Sequence, residues 1–171
     1  MATYTVNGGI KKIATGDESG TWGTSTNTNF DIIDRLTNGV GTITLSGTTH
    51  TLTTSDGSLS DGMFKVLVLG GSPSGTNTVT VAPNDAQKLY FVINNTSQSV
   101  IFTQGSGDNV TVPAGETKSL YCDGGGVPVG GAVHDCLVRE GAWAVGRRGG
   151  GAGAGLDSST ERGAGNTKIF I

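Results

Sequence analysis

Thr80-Val-Ala-Pro-Asn-Asp-Ala-Gln-Lys-Leu-Tyr90 and Thr111-Val-Pro-Ala-Gly-Glu-Thr-Lys-Ser-Leu-Tyr121 carry one pattern twice: Thr-Val, an acidic residue, then Leu-Tyr, at a constant offset. Thr and Val favour strands, and Pro, Asn, Asp and Gly favour turns, so each copy reads as strand, turn, strand. That reading extends in both directions. Asn77-Thr-Val-Thr-Val81 alternates cleanly, Met63-Phe-Lys-Val-Leu-Val-Leu69 is an apolar run expected to be buried on both faces, and Gly70–Gly75 reads as a loop. Val40–Leu45 and His50–Thr54, broken by Ser46-Gly47, read as a hairpin. Further strands are expected at Lys88–Asn94, Ser99–Thr103, Val110–Val112 and Thr117–Cys122.

About eight short strands at near-regular spacing, with no second amphipathic helix, point to a mainly β fold, a single β-sandwich or jelly-roll-like domain. Its expected core is Val66, Val68, Val79, Val81, Leu89, Phe91, Ile93, Ile101, Val110, Val112 and Leu120.

Ahead of the strands the periodicity differs. Phe30, Ile33 and Leu36, with Ile32 adjoining, recur at helical spacing, so one short helix is expected. Asn27 or Asn29 suits its N-cap, Asp31 its first turn and Arg35 its last, and Asn38-Gly39 ends it. Gly20 and Gly23 flank Trp22 and allow the indole to fold back against a surface. The arm before this, with Tyr4-Thr-Val6 and Ile10–Ala14, is too short to bury its own core, and docking on another subunit is expected to order it. The organisation is therefore an arm and helix at 1–39, a β domain at 40–123 and a Gly-rich segment at 124–171, which holds 14 of the 30 glycines.

Composition narrows the function. A net charge of −3 gives no footprint for nucleic acid, no apolar run reaches the roughly 20 residues of a membrane helix, and the amino terminus lacks a signal-peptide core. Cytoplasmic synthesis is expected, which favours free thiols at Cys122 and Cys136. His50 and His134 lie far apart and lack zinc spacing with the two cysteines. Asp17, Glu18, Asp56, Asp61, Asp85 and Asp108 fall in turns without an EF-hand register. Gly149–Ala154 matches G-x-G-x-x-A, but no strand enters it and no helix leaves it, so a linker is expected instead of a dinucleotide site. The sequence thus predicts no catalytic residue, no cofactor and no metal.

The run Gly16-Asp-Glu-Ser-Gly-Thr-Trp-Gly-Thr-Ser-Thr-Asn-Thr-Asn-Phe-Asp-Ile-Ile-Asp34 resembles a recurrent segment of tailed-bacteriophage structural proteins, tail-fibre-like and head-fibre-like ones in particular. Thr42–Gly57, Val79–Asp85, Val110–Gly115 and Leu120–Gly124 are similar to the β domain that often follows it. The resemblance implies a non-enzymatic virion protein, made in the bacterial cytoplasm and assembled as a homotrimer. It also implies contacts with other tail or capsid proteins and, in a fibre, with a host-surface glycan or protein. It assigns Trp22, Asn27, Phe30, Ile33 and Leu36 to assembly and anchoring. Only residues 124–171 follow the β domain here, so a capsid decoration or cement protein is the alternative, and a carbohydrate-cleaving tailspike the third reading.

Overall fold

In the computed structural model, residues 2–105, 107–125 and 133–135 are described. The chain divides into two units, Met1–Arg139 and Glu140–Ile171, and every described residue belongs to the first. Cys136 and Gly149–Ala154 lie outside the described residues, as does nearly all of the Gly-rich segment 124–171.

The described chain is mainly β, with an arm and one helix leading into the strands, as the sequence predicts. The arm carries a two-residue ladder, β1 (Thr3–Tyr4) with β2 (Lys11–Lys12), and α1 spans Trp22–Asn38. Then come β3 (Val40–Thr53), a 3-10 turn (Asp61–Met63), β4 (Val66–Ala82), β5 (Lys88–Asn94), β6 (Val100–Thr103), β7 (Val110–Val112), β8 (Thr117–Cys122) and β9 (Val133–Asp135). β3 to β9 form one mixed sheet that curls until it is nearly a barrel.

β4 is the spine of that sheet. β3 runs parallel to it along its whole length, from Val40 opposite Val66 to Thr53 opposite Ala82. Its other edge is shared, because β5 pairs in parallel with Val66–Leu69 and β6 with Asn77–Thr80. The domain is therefore a stack of bent rungs, at 40–53, 66–82 and 88–103. A fourth rung, 110–122, runs the other way, β7 antiparallel to β6 and β8 antiparallel to β5.

Three local expectations change. Val40–Thr54 is no hairpin: the chain shifts register between Gly47 and Thr49 within one strand, since both halves find partners on β4 and gain more than a two-strand turn offers. Gly70–Gly75 is likewise part of β4, and Gly71 takes φ +94°, where a Cβ would fall on the Leu45 carbonyl oxygen. Nor is the Val66–Leu69 run buried on both faces. Leu67 and Leu69 are in the core and Val66 and Val68 are only partly covered.

The core lies inside the curl: Ile43, Leu45, Leu52, Leu67, Leu69, Val79, Val81, Tyr90, Val92, Val100, Phe102, Val110, Val112, Leu120, Cys122 and Val133. Val79, Val81, Val110, Val112 and Leu120 are where the sequence predicts them. Val66, Val68, Leu89, Phe91, Ile93 and Ile101 occupy the opposite, outer positions of their strands. The repeated Leu-Tyr pair shows why. Leu89 faces out and Tyr90 in, whereas Leu120 faces in and Tyr121 out, because β5 and β8 are antiparallel and set Tyr90 opposite Leu120. The first turn crosses between rungs and the second is a bend within one, so the two copies do different jobs.

Buried asparagines hold the bends. Asn94 Nδ2 donates to the carbonyls of Gln98, Val112 and Pro113 at 2.9, 3.0 and 3.0 Å, and its Oδ1 accepts from Thr96 N and Oγ1 at 3.1 and 2.8 Å. Asn77 Nδ2 reaches Ser46 and Gly47 carbonyls at only 3.5 and 3.3 Å, and its Oδ1 has no partner. A buried polar group stripped of its partner costs roughly 1–3 kcal/mol. Asn94→Ala is therefore expected to cost about 3 kcal/mol, or roughly 10 °C in thermal midpoint, and Asn77→Ala under about 1.5 kcal/mol. Thermal denaturation of the two variants checks the order.

Candidate functional site

The helix begins earlier than its apolar spacing suggests. Trp22-Gly-Thr-Ser-Thr-Asn-Thr28 is poor in helix formers, and the N-cap is Thr21, without a side-chain cap. The arm supplies what propensity does not. Glu18, at φ +62°, accepts with its carbonyl from Thr21 N and Trp22 N, both at 2.9 Å, and with its carboxylate from Ser25 Oγ and Lys11 Nζ. Those hydrogen bonds hold the Glu18 carboxyl below the usual carboxylate range and raise the Lys11 ammonium. One turn on, Asn29 closes on the Lys11 backbone, Oδ1 accepting from N and Nδ2 donating to O, both at 2.9 Å. Asn27 and Asn29 are thus interior helix residues, not caps, and Asp31 lies beyond the first turn.

The far end is equally fixed. Gly39 N donates to Arg35 O at 3.0 Å, and a Cβ at Gly39 would meet the Arg35 backbone. The Gly39 carbonyl accepts from Lys65 N and Val66 N, which joins the helix end to β4. Arg35 donates from Nη1 to Ser60 O at 3.2 Å and lies 4.4 Å from the centre of the Phe64 ring, which in turn covers Gly41.

So held, α1 turns Ile32, fully buried, toward the protein, and Leu36 against Gly8. Trp22, Phe30 and Ile33 point away: Trp22 and Phe30 are each 62 % exposed and Ile33 is also exposed. They do not fold back against the domain, whatever the flanking glycines allow. Asn27 is exposed on the same helix. Of the five predicted assembly residues, three form an outward apolar face, Asn27 adds a polar group and Leu36 belongs to the packed side. The sequence names Ile32, Asn29, Glu18 and Arg35 in other roles; that they set this face escapes it, because Asn29, Glu18 and Arg35 act through contacts with the arm or the domain.

The arm, expected to be ordered by a second subunit, is hydrogen-bonded to its own domain. Asn7 Oδ1 accepts from Gln87 N at 2.9 Å, Gly9 O from Gly57 N at 2.7 Å, and Gly9, at φ +62°, sits so close to the Ser55 carbonyl that only glycine fits. A second apolar surface lies on the outer sheet face. Val40, Val66 and Phe91 align across three strands, Phe91 being 43 % exposed, with Leu89 opposite Tyr121 on the next rows.

Two His–Asp pairs occur among the described residues. His50 Nε2 lies 3.1 Å from Asp61 Oδ2, while Asp61 Oδ1 accepts from Thr53 N at 2.8 Å, so this pair closes the 54–61 loop. His134 Nε2 is 3.3 Å from Asp123 Oδ2 and its ring stacks on Tyr121. Among the described residues no three His, Cys, Asp or Glu side chains converge on one point. Against known proteins, the chain matches no family model, no curated sequence and no solved structure.

One buried group stands apart. Lys88, 6 % exposed, occupies an inward position of β5 opposite Cys122, and its Nζ has no hydrogen-bond partner. Burial lowers its ammonium to about 8, with Cys122 pulling the other way. Burial also drives the Tyr90 hydroxyl, which donates to Gly62 O at 2.7 Å, far above its ordinary value. Between the folded and unfolded lysine values the unfolded chain binds more protons, so stability rises with pH. Above the ordinary tyrosine value the folded chain holds the extra proton and stability falls again. Urea unfolding is expected to show a gain of about 2 kcal/mol from about pH 7.5 to about pH 9.5. In Lys88→Met that rise should vanish.

Proposed function

We propose that this chain is a non-enzymatic virion structural protein of a tailed bacteriophage, a short fibre-like appendage subunit that binds its own copies and the particle. The observation that carries this reading is the outward face of α1. Large aromatic and aliphatic side chains, Trp22, Phe30 and Ile33, are held in water on a helix that the arm, Asn29 and Arg35 make rigid. Exposed aromatics on a rigid element are the usual anchors of an interface, because little conformational entropy is lost when they are covered. The same residues carry the resemblance to phage fibre-like proteins, which gives the face its occupants: sister subunits in a homotrimer and a tail or capsid protein. The outer sheet row of Val40, Val66 and Phe91 supplies further apolar area for contacts between subunits. Multivalent display on a particle would turn weak contacts with a host-surface glycan or protein into firm attachment.

The burial pattern separates assembly from folding. Trp22→Ala with Phe30→Ala should leave the thermal midpoint almost unchanged while weakening self-association or particle incorporation by at least about 30-fold, the effect of losing an interface anchor. Ile32→Ala should do the reverse first, costing about 2–5 kcal/mol of stability. Sedimentation and incorporation into particles, measured beside melting curves, check both. A double variant that assembles normally overturns the anchor role. Labelling the protein on intact particles separates a tail or head fibre from a decoration protein spread over the shell.

A further inference from the structure

Beneath the arm lies a cavity of about 310 Å³, at the size where small-ligand pockets begin. Its wall joins four elements: Ile10 from the arm, Leu36 from α1, Met63 and Phe64 from the 3-10 turn and its exit, and Lys88 and Tyr90 from β5. Most of that wall is apolar. Thr5, Asn7, Lys65 and Gln87 also line it, and so does Lys88, a nearly fully buried lysine whose Nζ has no hydrogen-bond partner among the described residues. Its ammonium stands at the end of a flexible four-carbon stem.

A buried ammonium without an acceptor is costly, and natural interiors pair such groups. The other polar groups nearby do not serve: the Tyr90 hydroxyl is committed to Gly62 O, and no carboxylate among the described residues reaches Nζ. We propose that this cavity binds a small carboxylic acid with an apolar tail, the carboxylate accepting from Lys88 Nζ and the tail lying against Ile10, Leu36, Met63 and Phe64. The Lys88 ammonium calls for a negatively charged acceptor and the apolar part of the wall for an apolar body, and a carboxylic acid with a tail supplies both. Bound there, the acid would fasten the arm and α1 to β5, independently of how the outer face of the helix is used.

The test uses the full chain and hexanoate, with hexan-1-ol and hexylammonium as controls of equal tail length. Calorimetry and the NMR signal of the Lys88 ε-methylene are followed together. Hexanoate is expected to bind saturably, to move the Lys88 signal toward that of a charged lysine at pH 9, and to bind at least roughly tenfold tighter than hexan-1-ol, as a charge-assisted hydrogen bond requires. Lys88→Met, which keeps the length and apolar stem, should lose that advantage. Leu36→Phe, which keeps the amine and fills the space, should lose binding altogether. Equal affinity for the acid and the alcohol overturns the proposal, as does unchanged hexanoate binding in either variant. Should Lys88→Met fail to fold, the Lys88 signal and Leu36→Phe decide the matter in its place.

Discussion

The parallel pairing of β4 on both edges is the constraint from which the rest of the described structure follows. A strand of 17 residues has more backbone donors and acceptors than any short partner can satisfy. β3 satisfies one edge over its whole length, and the other is divided between β5 and β6. Parallel neighbours cannot be joined by tight turns, so each rung must return by a crossing segment. Those crossings, at 54–65 and 83–87, are where the domain meets its arm and helix. Gly57, Ser60, Phe64 and Gln87 all lie in them, and each receives a contact from the amino-terminal 39 residues.

How much of this was legible follows from which signals are local. Strand existence was readable, because Thr/Val alternation and Asn, Pro and Gly turns act over a few residues. Strand facing was not. β5 has Lys88, Tyr90 and Val92 inward and Leu89 and Phe91 outward, so polarity points the wrong way at its first residue and both faces carry apolar groups at the next four. With no polar face, a one-residue slip leaves the hydrophobic count almost unchanged, and only the pairing partners settle the register. The same applies to the parallel pairing of β3 and β4, which joins residues more than 20 positions apart and leaves no local trace.

At the helix, the balance was different. Apolar spacing located α1 and its end, and the fibre-like resemblance singled out Trp22, Asn27, Phe30, Ile33 and Leu36, of which Trp22, Phe30 and Ile33 are exposed apolar residues and Leu36 packs inward against Gly8. Spacing alone could not say whether that face meets the core or water, because Ile32 and Ile33 are neighbours and only one of them can point inward. What decides it is the arm. Lys11 and Glu18 grip the first turns from one side, through Asn29 and Ser25, and fix the helix about its own axis. A polar clamp of this kind has no hydrophobic signature.

The arm's attachment also sets an order of events at the ribosome. Asn7 is made 80 residues before Gln87, its partner on the domain. At about 5–20 residues per second, the arm waits roughly 4 to 16 seconds with its dock unsynthesised. Ile10, which lines the cavity in the folded chain, is uncovered for that interval, and β3 emerges before the strand that must lie beside it. The amino-terminal arm is therefore made first and can be seated only once Gln87 has followed it out of the ribosome.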